Sequence, residues 1–289
     1  MSDPSALIEA HNLRKTFGST VALDGLDLRV GGGRIVGLIG RNGAGKTTAL
    51  NAILGLTPFE GELRVLGRNP WSDRSALMQD VAFIADVAVL PRWIRVSQLF
   101  EYVAAVHPRF ERARAEGFLE GTTISRTSKV KDLSKGMVTQ LHLAIVMAID
   151  ARLLVLDEPT LGLDMLSRKQ FYDSLLVDFY ERHRTILLTT HNVEEIEHVV
   201  TDVVFLDRGR IVLSASMDEI EGRYREVRVR PAHVLHARSL RPIDERDALG
   251  QSIMLFDGVA RTQLAACGEV RTPSLSDLFV ATLSAREVR

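Results

Sequence analysis

"RIVGLIGRNGAGKTTALNAIL", residues 34–54, is the stretch that decides the fold. An apolar run from Ile35 to Ile39 leads into a Gly-rich turn, and a segment of helical spacing leaves it and ends near Gly55. A strand, a loop fitting G-x-x-x-x-G-K-[ST] and a helix, in that order, turn backbone N–H groups and the helix N-terminus onto a polyphosphate. Gly40, Asn42, Gly43, Ala44, Gly45, Lys46, Thr47 and Thr48 are therefore candidate nucleotide contacts. Lys46 is expected to reach the β- and γ-phosphates, and Thr47 to hold Mg²⁺ through its hydroxyl.

Outward from this loop the chain reads as a folded α/β protein. Its 289 residues are 46% hydrophobic, enough for a sizeable core, and the formal net charge of -1 supplies no global field toward nucleic acid or anionic lipid. The single Cys267 excludes an intrachain disulfide, and the polar start "MSDPSALIEAHN" lacks a secretion pattern. No apolar run reaches the roughly 18 residues that span a bilayer. The expectation is a cytoplasmic chain, free or held at the inner face of the membrane by a partner.

Short apolar runs with Gly-containing turns ("ALIEAHNLRKTFG", "VALDGLDLRV", "GELRVLG") predict a β-rich first third. "VSQLFEYVAAV" and "FERARAEGFLEG" have helical spacing and predict an inserted helical lobe at about residues 87–148. "RLLVLDEP", "TILLTTH" and "DVVFLDRG" are continuous apolar runs, as in parallel strands covered on both faces. Residues 1–221 form the expected main domain. Residues 222–289, Arg-rich without Lys, predict a small α/β appendage built from "YREVRVR", "SIMLFDG" and a closing helix "SLSDLFVATLSA".

Two further motifs carry chemistry. "RLLVLDEP" delivers Asp157 and Glu158 at a strand's carboxyl end, the crevice where α/β sheets bind ligands. Asp157 suits Mg²⁺, held through water, and Glu158 suits the general base that polarises the attacking water. His191 closes "TILLTTH" and can hydrogen-bond a γ-phosphate oxygen; Asn192 and Glu195 after it have capping-box spacing.

"GRNGAGKTT", "LSKGM", "LLVLDEPTLGLD" and "TTH", in this order over about residues 5–215, resemble the ATP-binding subunits of ABC transporters. The resemblance implies a P-loop ATPase core with an antiparallel β lobe and a helical lobe. It also implies a head-to-tail dimer, homomeric or heteromeric, in which Ser134 and Gly136 of one chain close over ATP held by the other. Phe17 matches the aromatic that stacks on adenine. Asp164 matches a loop touching the opposite subunit and equally fits a helix N-cap. Asp86 stands where the family usually has Gln and remains a candidate Mg²⁺ ligand, although an ionised carboxylate donates no hydrogen bond. Lys135 replaces a usual Gly, either beside the partner's phosphate or toward solvent. "LSKGM" and the short helical lobe resemble the ABC-2 exporter-like branch, which includes peptide-antibiotic resistance and acetoin-utilisation types. The implied function is an ATPase that drives a separate integral membrane permease, contacted through "AVLPRWIRVSQL", with Trp93 either on that surface or in the core. The alternative is a soluble ABC-type ATPase acting on ribosomes or DNA.

Overall fold

A computed structural model describes residues 6–84, 90–248 and 250–287. The chain opens with β1 (Ala6–Phe17) and β2 (Thr20–Gly31), an antiparallel hairpin, followed by β3 (Ile35–Gly40), α1 (Lys46–Ile53) and β4 (Glu60–Val65), the last pairing with β1. Ile8 and Ala10 of β1 are buried at period two. A register shift with Asn12 at φ 49° then returns Leu13 to the buried face, where unbroken alternation would have exposed it.

After α2 (Arg74–Leu77) and β5 (Val81–Ile84), the predicted helical lobe consists of α3 (Val96–Val106), α4 (Arg112–Leu119) and α5 (Lys135–Met147). Its core gathers Leu99 and Phe100 of α3, Ala115 of α4 and Leu141 and Ala144 of α5. The chain then alternates β6 (Leu153–Asp157), α6 (Met165–Arg182), β7 (Thr185–Thr190), β8 (Asp202–Asp207) and β9 (Arg210–Ser216). The resulting six-stranded sheet has the order β5-β6-β7-β3-β8-β9, parallel except at β9. Every residue of β3, β6 and β7 is buried, which is why these strands read as continuous apolar runs. Their carboxyl ends lie side by side, so the P-loop, Asp157 and His191 emerge at one edge of the sheet.

The C-terminal part comprises α7 (Met217–Arg223), β10 (Tyr224–Val229), α8 (Val234–Ser239), β11 (Asp244–Ala248), β12 (Gln251–Asp257), α9 (Arg261–Ala265), β13 (Gly268–Arg271) and α10 (Leu275–Glu287). Its antiparallel sheet, β11-β12-β10-β13, covers a small core of Val227, Val229, Met254, Phe256, Leu264 and Cys267. A second set, Tyr224, Leu255, Leu275 and Leu278, is continuous with the large core around Phe205, whose ring meets Phe279 edge-on at 5.0 Å. "YREVRVR" does not alternate cleanly, because Glu226 in the middle of β10 is buried and paired with Arg246 at 3.1 Å and Arg271 at 2.5 Å.

Candidate nucleotide site

The loop after β3 is held close to its neighbours by two glycines. A Cβ on Gly40 would stand 2.6 Å from the Leu206 carbonyl oxygen; one on Gly45, at φ 107°, would stand 2.5 Å from that of Ala22. No side chain caps α1, so the N–H groups of its first turn remain directed at the loop. Lys46, 7% exposed, donates from Nζ to the Gly40 carbonyl at 2.7 Å and lies 3.7 Å from Glu158 Oε1.

Opposite, Thr47 Oγ1 donates to Asp157 Oδ2 at 3.0 Å. Thr189 Oγ1 donates to the other Asp157 oxygen at 2.5 Å and accepts the Glu158 backbone N–H at 3.0 Å. Thr189 thus fixes the Asp157 carboxylate and the Glu158 backbone; its one signal in the sequence is a polar residue within an apolar run. Glu158 sits at φ 46°, a turn that swings its carboxylate toward Lys46, and its Oε2 lies 2.9 Å from His191 Nδ1. The cleft is lined by residues 41–48, residues 20–22 of β2 and Glu158. Lys46, Thr47, Asp157, Glu158 and His191 therefore converge, as do the loop glycines, Asn42, Ala44 and Thr48.

Other candidates lie elsewhere. Phe17 ends β1 with more than half of its surface exposed and Lys15 Nζ 4.9 Å from its ring centroid, so it is not a core residue. Ser134 and Gly136 do not line the cleft of their own chain. Ser134 caps α5, accepting the Met137 N–H at 3.2 Å, and a Cβ on Gly136 would be 3.5 Å from the Gly162 carbonyl oxygen. The aliphatic stem of Lys135 runs along Gly162. Asp164 caps α6, and hydrogen bonds from the Ser167 N–H and hydroxyl hold its carboxyl below the usual range. Gln140 Nε2 reaches the same hydroxyl at 3.0 Å, tying α5 to α6. Asp86 lies outside the described residues. Trp93 is 73% exposed, which excludes the core placement. The capping box at Asn192 does not form: residues Val193–Glu195 make a single 3-10 turn, and Glu195 turns instead to Thr160 and Arg168.

Oxygen donors suit a hard cation. Among the described residues no group of three or more His, Cys, Asp or Glu could hold a metal. A Thr hydroxyl beside one carboxylate matches instead the sparse protein set that holds Mg²⁺ together with substrate phosphates. No helix among the described residues is long and apolar enough to cross a membrane.

The pattern of the ABC transporter family matches residues 23–161. Daunorubicin resistance ATP-binding protein DrrA3 of Streptomyces coeruleorubidus is 32% identical over 76% of this chain and 71% of its own length. The chain belongs to the ABC transporter family. A second relative, Nod factor export ATP-binding protein I of Rhizobium meliloti, is 32% identical to this ABC chain over 99% of its residues and 90% of the relative's. A solved ATP-binding subunit of an ABC transporter superposes with a TM-score of 0.68 at 25% identity, over 75% of this chain and 92% of the other. The family and the α/β P-loop architecture expected from the motifs are both borne out. This ABC chain is an ATPase of the kind that powers a membrane permease.

Proposed function

We propose that the chain powers export through a permease carried on another polypeptide, and that its dimer hydrolyses ATP between a P-loop cleft and the signature residues of the second subunit. The observation that carries the reading is the convergence of Lys46, Glu158 and His191 on one side of the cleft, and of Thr47 and Asp157 on the other. Residues 40–48, Lys46 among them, bind the phosphates, and the exposed ring of Phe17 stacks on the base. Thr47 and Asp157 would hold Mg²⁺, which spreads phosphate charge when bound. Glu158 takes a proton from the attacking water, and His191, hydrogen-bonded to Glu158, faces the γ-phosphate. Asp86, outside the described residues, we assign to Mg²⁺ or its water. Asp164, besides capping α6, faces the second subunit.

Both relatives are named for resistance to or export of a compound, which supports export here. Trp93, Tyr102 and Val106 expose apolar surface on the helical lobe, and this is the proposed permease contact, placing the chain on the inner face of the membrane. We treat residues 222–289 as an accessory unit. Glu158→Gln tests the chemistry: ATP binding stays within about twofold while turnover falls on the order of a hundredfold or more, with an ATP-bound dimer accumulating on sizing columns. Wild-type turnover in that variant would refute the assignment.

A further inference from the structure

Glu195 does not line the cleft. Its side chain is 13% exposed, and a carboxylate so removed from water is costly unless donors surround it. Three do. Thr160 Oγ1 donates to Oε2 at 3.2 Å, Asn192 Nδ2 donates to Oε1 at 2.6 Å, and Arg168 Nη1 donates to the same Oε1. Each donor belongs to a different segment, and each segment carries a candidate site residue. Thr160 follows Glu158 on the turn after β6, Asn192 adjoins His191 after β7, and Arg168 lies one helical turn beyond Asp164 on α6. A carboxylate has acceptor positions enough for all three and brings the negative charge that pairs with Arg168; an amide keeps an oxygen for the Oε1 donors but loses that charge.

We infer that Glu195 is a positioning residue for hydrolysis: it locks the His191 segment, the Glu158 turn and the start of α6 into one register, which keeps His191 Nδ1 at 2.9 Å from Glu158. The inference rests on the assignment of Glu158 and His191 to the chemistry. It gives the loop that faces the second subunit a direct mechanical link to the pair that handles water, since Arg168 and Asp164 share the first turn and a half of α6.

The test is Glu195→Gln in the full chain, read in two ways. ATP KM should stay within about twofold while kcat falls about tenfold or more. The ¹⁵N resonances of the His191 imidazole, assigned by their loss in His191→Ala, should move from a single hydrogen-bonded tautomer toward the averaged pair of free imidazole. A wild-type kcat overturns the inference, and so does a lowered kcat with His191 resonances at wild-type positions. If Glu195→Gln does not fold, Asn192→Ala and Thr160→Val each remove one donor from an intact carboxylate, and the same two readouts decide. Full turnover in Glu158→Gln would sink the underlying site assignment. Loss there, with Glu195 variants at the wild-type rate, would sink this inference alone.

Discussion

Thr189 carries more of the site than its chemistry suggests. Its one hydroxyl donates to Asp157 and accepts the Glu158 N–H, so one carboxylate and the backbone that carries the next are held by a single fully buried group. Thr189→Val preserves shape and removes both bonds, leaving a buried N–H unsatisfied at a cost of about 1–3 kcal/mol. Turnover should fall about tenfold or more, with ATP affinity changed about twofold or less. Measured kcat and nucleotide affinity check this, and a wild-type kcat would mean that Thr47 alone orients Asp157. Thr189 was legible only as a polar residue in an apolar run, because its partners come from a strand more than thirty positions away.

At the scale of elements, α5 combines three functions. Its N-terminus bears Ser134 and Gly136, Gln140 holds the Ser167 hydroxyl of α6, and its remaining turns form the core of the helical lobe. His142 faces inward on this helix, with Nδ1 buried and without a partner among the described residues. Burial lowers its pKa from the usual 6.5, and His107 at the end of α3 is lowered for the same reason, with Arg109 adding to the effect. The sign follows from linkage. The unfolded chain takes up a proton near pH 6.5 while folded His142 resists it, so stability falls as pH drops below about 6.5 and levels once the folded imidazole also protonates. His142→Leu should flatten that dependence in urea melts at about pH 5.5 to 7.5, leaving the contribution of His107. An unchanged slope would place the titration elsewhere.

The whole molecule presents a P-loop cleft on one surface, while Ser134 and Gly136, the latter beside Gly162 of the same chain, do not line that cleft. A head-to-tail dimer brings the two together, and mixing defective chains tests it. Lys46→Ala weakens a chain's grip on its own ATP, and Ser134→Arg blocks closure over a partner's. In a mixed dimer both defects fall on one site, which leaves the other intact. In a Glu158→Gln background, mixing should raise labelled ATP retained per dimer well above either parent, toward one trapped nucleotide in each mixed dimer. Heterodimers verified by two affinity tags, with retention no higher than the parents, would exclude the arrangement for this chain.

The sequence by itself determined the nucleotide loop, the acid pair and the order of the strands and helices that carry the motifs, because each is written in contiguous residues: a Gly spacing, an apolar run, a helical period. Trp93 and Asp164 each have two readings that local pattern cannot separate, since burial depends on what packs from elsewhere; exposure decides the first, and for Asp164 the N-cap is observed. The spacing of Asn192 and Glu195 suggested a capping box, but Thr160 and Arg168 drew the carboxylate into a long-range network that local spacing cannot encode. The strands β9, β11 and β13 are not legible in the sequence because they are short or half-exposed and take their form from a neighbour's hydrogen bonds rather than from an apolar pattern. Only the tertiary structure could bring Thr189 to Asp157 and Glu195 to Thr160 and Arg168, because those contacts arise from strands and helices that the folding of the sheet places side by side.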